Sequence, residues 1–160
     1  MVTKLEDIKK LIICCGAVLA VGFAGAFFTN SGLDWYQGLA KPVFTPPNRI
    51  FGPVWTILYL LMGIALFLVW RKGFANAAGK TALAAFILQF VFNALWTPIF
   101  FWAKQPLIAL GDIVILWLAI IATIVSFWKV SRAAGILLVP YIIWVSFAAV
   151  LNAVICMLNR

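Results

Sequence analysis

WYQGLAKPVFTPPNRIFGPVWTILY, residues 35–59, crowds aromatic side chains, four prolines and two cations between two apolar runs. Composition decides which solvent those runs are built for. With 66% hydrophobic and only 10% charged residues, the chain lies far from the globular norm and fits one that uses lipid as its solvent. Outward from this stretch, five apolar runs are long enough to span: residues 11–29, 51–70, 81–103, 106–128 and 133–158. At about 1.5 Å per residue, each crosses a hydrocarbon core of about 30 Å, the longer ones with tilt or overhang. Strands fit poorly, because the runs lack period-two alternation and an open sheet would leave unpaired edges in lipid. The expectation is an all-α integral membrane protein: a single bundle over residues 1–160, with five transmembrane helices and a long first extracytoplasmic loop at residues 30–50.

The remaining breaks, RKGFANAAGK, AKQ and KVSR, are too short for a second domain, and no internal repeat argues for an inverted-repeat transporter. Lys4, Lys9, Lys10, Arg71, Lys72, Lys80, Lys129 and Arg132 flank one face, against Lys41, Arg49, Lys104 and Arg160 on the other. The positive-inside rule therefore puts the amino terminus in the cytoplasm and both the carboxyl terminus and the first loop outside. The formal charge of +8 sits in turns, where topology and lipid headgroups account for it, so no nucleic-acid partner is expected. Basic residues, then LIICCGAVLAVGF, then Ala24-Gly25-Ala26 also have the layout of a cleavable signal peptide. Apolar sequence continues through Phe27 and Phe28, so the first span is expected to stay.

Absent residues limit the chemistry. There is no His, which removes His-ligated metal, His acid–base catalysis and His-ligated haem. Cys14, Cys15 and Cys156 form neither a chelating pattern nor an evident disulfide, and no phosphate loop, nucleophile elbow or carboxylate pair occurs. No metal and no obligatory cofactor are expected. What the spans do carry is stripes. Gln89, Asn93 and Trp96 share one face of the third span, Trp55 and Tyr59 one face of the second, and Tyr141, Trp144, Ala148 and Asn152 one face of the fifth. Trp55, Trp96 and Trp144 lie inside spans rather than at their ends, beside amides that are costly in lipid unless bonded. The stripes fit a ligand cavity, and they fit helix–helix packing equally well.

WYQGLAKPVFTPPNRIFGPVWTILY, QFVFNALWTPIFF and LLVPYIIWVSFAAVLN resemble, in order and spacing, the signature segments of the tryptophan-rich sensory proteins, also called translocator proteins or peripheral benzodiazepine receptors. The resemblance covers all but the amino-terminal tail. It implies a bacterial-type, five-helix, usually dimeric protein of the cell membrane. Its ligand would be a porphyrin of the protoporphyrin IX kind or a related hydrophobic molecule, held between the helices as by a sensor or carrier. Residue by residue, it places Trp55, Asn93, Trp96, Trp144, Ala148 and Asn152 at the family's pocket positions, and links Trp55 and Trp144 to light-dependent porphyrin breakdown. The first loop then reads as a lid. Pro42, Pro46 and Pro47 lose little entropy on ordering, Trp35 and Phe44 would cover a flat ligand, and Lys41 or Arg49 would meet its carboxylates. A rigid connector is the plainer reading of the same loop. Pro53 is expected in the first turn of span two, and bends are expected at Pro98 and Pro140. The motif proposed for sterols needs a Tyr that Val145 to Arg160 lacks, which puts sterol binding in doubt. Transport is the alternative function, resting on Asp112 as the acidic residue within a span.

Overall fold

Apolar segments in lipid must satisfy their backbone internally, and here they do so as helices. The computed structural model describes residues 2–160, with side chains from Lys4 onward. It comprises α1 (Val2–Ser31), a short α2 (Leu33–Gly38), α3 (Asn48–Lys72), α4 (Ala77–Thr97) continued by a π-helical turn (Pro98–Trp102), α5 (Pro106–Val130), a short α6 (Arg132–Leu137) and α7 (Val139–Leu158). Among the described residues, five stretches are long and apolar enough to cross a membrane: Lys4–Ser31, Asn48–Lys72, Ala77–Trp102, Pro106–Val130 and Arg132–Leu158. Side chains such as Phe23, Phe27 and Ile143 stand exposed on the outer faces, as expected where the surroundings are acyl chains.

Local chemistry sets the ends. Gly73, at φ 98°, stops α3, and the Asn76 side chain accepts the Gly79 N–H at 2.7 Å to cap α4. Three prolines act differently from, or more specifically than, the sequence reading. Pro47 precedes the first turn of α3, so Pro53 falls in the second turn rather than the first, and its missing N–H leaves the Arg49 carbonyl without the usual bond. Pro98 opens the π-helical turn, which closes with the Ala103 N–H donating to the Pro98 carbonyl at 2.8 Å. Pro140 lies in the first turn of α7, after a break at Leu138, so the expected bend within one helix is a junction between two.

Between helices in lipid there is little hydrophobic drive, so close contact has to hold them. A Cβ on Gly22 would lie 2.6 Å from the Tyr59 ring, and one on Gly63 would lie 2.7 Å from the Cys15 Cα. These two glycines seat α1 against α3. Toward the amino-terminal end, Phe86 stacks between Phe90 and Phe127 at 5.6 and 5.8 Å, and Met62, Ala65, Val69, Ala82 and Ile120 are fully buried. Toward the α2 end the helices part.

Candidate functional site

Where they part, the bundle encloses a cavity of about 390 Å³. Phe51, Trp55 and Tyr59 of α3, Trp96 and Phe100 of the third span, and Trp144, Ala148, Leu151 and Asn152 of α7 form its walls. Gly22, Ala26 and Thr29 bring in α1, and Leu33 and Tyr36 of α2 roof it. The aromatic walls are mutually braced: Trp96 stacks on Phe100 at 5.0 Å, Trp55 tilts on Tyr59 at 5.5 Å, and Phe51 stands edge-on to Trp144 at 5.8 Å.

Beneath the cavity runs a chain of polar side chains across three helices. Tyr59 Oη–H donates to Asn93 Oδ1 at 2.9 Å, Asn93 Nδ2 donates to Tyr141 Oη at 2.9 Å, and Tyr141 Oη–H donates to Gln89 Oε1 at 3.0 Å. A second chain fixes one wall: Trp96 Nε1 donates to Asn152 Oδ1 at 3.2 Å, and Asn152 Nδ2 donates to the Pro106 carbonyl at 2.9 Å. These bonds satisfy amides that lipid would penalise. Three buried atoms have no partner among the described residues: Gln89 Nε2, Asp112 Oδ2 and Trp144 Nε1. Of their residues, only Trp144 borders the main cavity.

Of the residues expected from sequence, Trp55, Tyr59, Trp96, Trp144, Ala148 and Asn152 are brought together on the cavity wall. Gln89, Asn93 and Tyr141 lie deeper, joined to one another; Asn93 borders only a small void below, of about 10 Å³. The expected ligand contacts from the loop do not reach the cavity. Trp35 packs edge-on against Phe100 at 5.8 Å from behind, and Phe44 stands edge-on to Phe147 at 6.3 Å. Lys41 Nζ donates to the carbonyls of Tyr36, Gln37 and Leu39 at 2.8, 3.0 and 3.0 Å, because the carbonyl end of α2 and the residue after it form a partly negative cluster that a cation satisfies. Arg49 is exposed in the first turn of α3 and away from the lining. Burial between Phe100 and Phe101 pushes the Tyr36 phenol above its ordinary value, so it stays an uncharged roof.

The loop is held down elsewhere. The Ala40 N–H donates to Asn159 Oδ1 at 2.9 Å while Asn159 Nδ2 donates to the Ala40 carbonyl at 2.9 Å, a two-bond clamp onto the end of α7. Sequence reasoning missed this clamp, the α1 wall and the roof from α2. The signal for the wall was present in Gly22, Ala26 and Thr29, spaced for one helical face. Among the described residues no group of His, Cys, Asp or Glu could hold a metal ion.

Comparison with known proteins adds sequence kinship to this geometry. Residues 14–158 match the profile described as the TspO/MBR family. The chain is 47% identical over 154 residues to "Tryptophan-rich protein TspO" of Archaeoglobus fulgidus, covering 96% of this chain and 99% of that one. It is 44% identical over 155 residues to the protein of the same name from Chlorobaculum tepidum, covering 96% and 98%. It is 41% identical over 133 residues to "Translocator protein" of Homo sapiens, covering 81% and 78%.

Proposed function

The chain belongs to the TspO/MBR family, and from that premise we propose that it is a membrane-embedded sensor or carrier that binds porphyrins and related flat hydrophobic molecules in the aromatic cavity. The observation that carries this reading is the wall itself, on which the indole of Trp144 joins those of Trp55 and Trp96 around one apolar cavity. Three indoles on one wall offer flat faces to a flat π-system. A volume of about 390 Å³ is at the lower end for ligand sites, about 300–1,000 Å³, which suits a plate whose edge protrudes. Light adds a second possibility: an excited porphyrin takes one electron from the indole of Trp55 or Trp144, leaving an indole radical cation and a reduced porphyrin. Among the described residues, the wall carries no carboxylate, amine or thiol side chain beside these indoles.

A porphyrin titration of the purified protein in detergent, first in darkness and then under light, tests both parts. Saturable quenching of tryptophan fluorescence in the dark reports binding, and loss of the porphyrin absorbance under light reports photochemistry. Linear, unsaturable quenching would end the reading. Transport is the second reading, favoured by Asp112, a residue 7% exposed within α5 whose Oδ2 has no hydrogen-bond partner among the described residues. Porphyrin-dependent flux across sealed vesicles, abolished in Asp112→Asn, would support it over binding alone.

The lysine and arginine asymmetry supports an amino terminus in the cytoplasm. A reporter fused after Arg160 is expected outside, and one in the loop between Arg71 and Lys80 inside; the reverse pattern refutes the orientation. A homodimer rests on kinship, because Gly22 and Ala26, which would suit a helix–helix interface, face Tyr59 and the cavity within this chain. Light scattering that finds only monomer in detergents and lipid discs would remove it.

A further inference from the structure

We propose that the cavity exchanges its ligand sideways, with the membrane leaflet on the α2 side, through the gap between the upper halves of α1 and α3. The proposal rests on reading the cavity as the ligand site. Two stripes of residues that line the cavity are exposed at the same time: Phe23, Ala26 and Asn30 on α1, and Asn48, Gly52 and Thr56 on α3. Their spacings put each stripe along one edge of its helix, so the two edges frame an opening. A Cβ on Gly52 would meet nothing within 4 Å, which marks the opening as clear at that level. The foot of the opening is the Gly22–Tyr59 contact, below which α1 and α3 touch down to Gly63 and Cys15.

The chain between α1 and α3 takes the long way round. It leaves α1 at Gly32, against the Phe101 backbone, and lays Tyr36 on Phe100 and Phe101 over the third span. It is then clamped at Ala40 by Asn159, sets Phe44 on Phe147, and returns to α3. The connection therefore roofs the side of the third span and α7 and leaves the α1–α3 side unbridged. A roof closed by Lys41, the Asn159 clamp and interlocked rings faces the headgroups, whereas the open side faces acyl chains. A hydrophobic ligand partitions into those chains, so the open side is also where it is concentrated.

An obstruction on a route raises one barrier that the ligand crosses in both directions, so it slows association and dissociation together. Protein in phosphatidylcholine vesicles is mixed with protoporphyrin IX already dissolved in the same lipid, and both rates are followed by tryptophan fluorescence. Thr56→Phe places a ring in the opening from an exposed position and is expected to slow both rates by about tenfold. Ala26→Phe does the same from the facing helix and serves if the first variant folds poorly. Asn159→Ala, which releases the roof, is expected to leave both rates within about twofold of wild type. Faster exchange in Asn159→Ala, or unchanged association in both ring-bearing variants, overturns the proposal. So does slower association with unchanged dissociation, because that marks a blocked site rather than a blocked route.

A readout without porphyrin separates this idea from the ligand assignment. Phospholipids with brominated acyl chains should quench the wild-type tryptophans more than those of Thr56→Phe. Equal quenching counts against the opening. If that difference holds while porphyrin fails to saturate, the ligand assignment falls and the opening stands.

Discussion

The two ends of the bundle are built by opposite uses of the same residue types. At the amino-terminal end, aromatic rings face one another: Phe86 lies between Phe90 and Phe127, and Phe127 is fully buried. At the α2 end, rings of similar size line a void of about 390 Å³ instead of filling it. The boundary between solid and hollow is the polar chain Tyr59–Asn93–Tyr141–Gln89, which ties α3, α4 and α7 together just beneath the void. The contrast teaches that the void is held open rather than left over. Its walls are braced ring on ring and its floor is hydrogen-bonded, so collapse would have to break specific contacts.

The largest expected effect comes from the solid end. Phe127→Ala should lower stability by about 3–5 kcal/mol, the usual cost of opening a cavity where a phenyl group was fully packed. Phe51→Ala, at the wall of the void, should cost about 1–2 kcal/mol, because its half-buried ring has fewer contacts to lose. Unfolding titrations in detergent that give equal costs would erase the distinction between the ends. Next comes the floor. Asn93→Leu removes two interhelical hydrogen bonds and leaves two phenols short of a partner, so stability should fall by about 1–2 kcal/mol with porphyrin affinity per folded molecule unchanged. Weakened affinity with unchanged stability would instead put the Asn93 amide in contact with the ligand.

The smallest effect on stability is expected at the wall itself. Trp144→Phe deletes a buried donor that bonds to nothing, so stability should stay within about 0.5 kcal/mol of wild type. The same change should slow the light-driven loss of porphyrin absorbance, since phenylalanine keeps an aromatic face but yields an electron far less readily. An undiminished rate in Trp144→Phe would shift that role to Trp55 alone.

The spans were legible because length and apolarity are one-dimensional properties, and a helix in lipid needs little else. The cavity wall was legible for a related reason: Trp55 with Tyr59, or Trp144 with Ala148 and Asn152, share a face whenever the segment is helical. What could not be read is where faces from different helices meet. Asn93 shares its face with Trp96, yet its amide is taken by Tyr59 and Tyr141 from two other helices. Lys41 looked free to meet a carboxylate because nothing in LAKPVF announces that a short helix ends just before it and presents three carbonyls. Gly22 and Ala26 were visible as small residues, but which neighbour they serve is a question of packing, answered here within the chain by Tyr59 and by the void.

The glycine contacts at the two ends of the upper part of α1 carry a mechanical consequence. Gly22 rests on Tyr59 and Gly32 rests on the Phe101 backbone, so the segment between them is a strut fixed at both ends rather than a lever free at one. About ten residues at 1.5 Å each make that strut about 15 Å long. A helix of this length bows only slightly, so the opening proposed beside it would have a nearly fixed height. On the proposed route, such an aperture would act as a gauge, passing a thin plate on edge more readily than a molecule of equal mass that is thick in every direction. Selection would then begin at the threshold, by shape, before any side chain inside has touched the ligand.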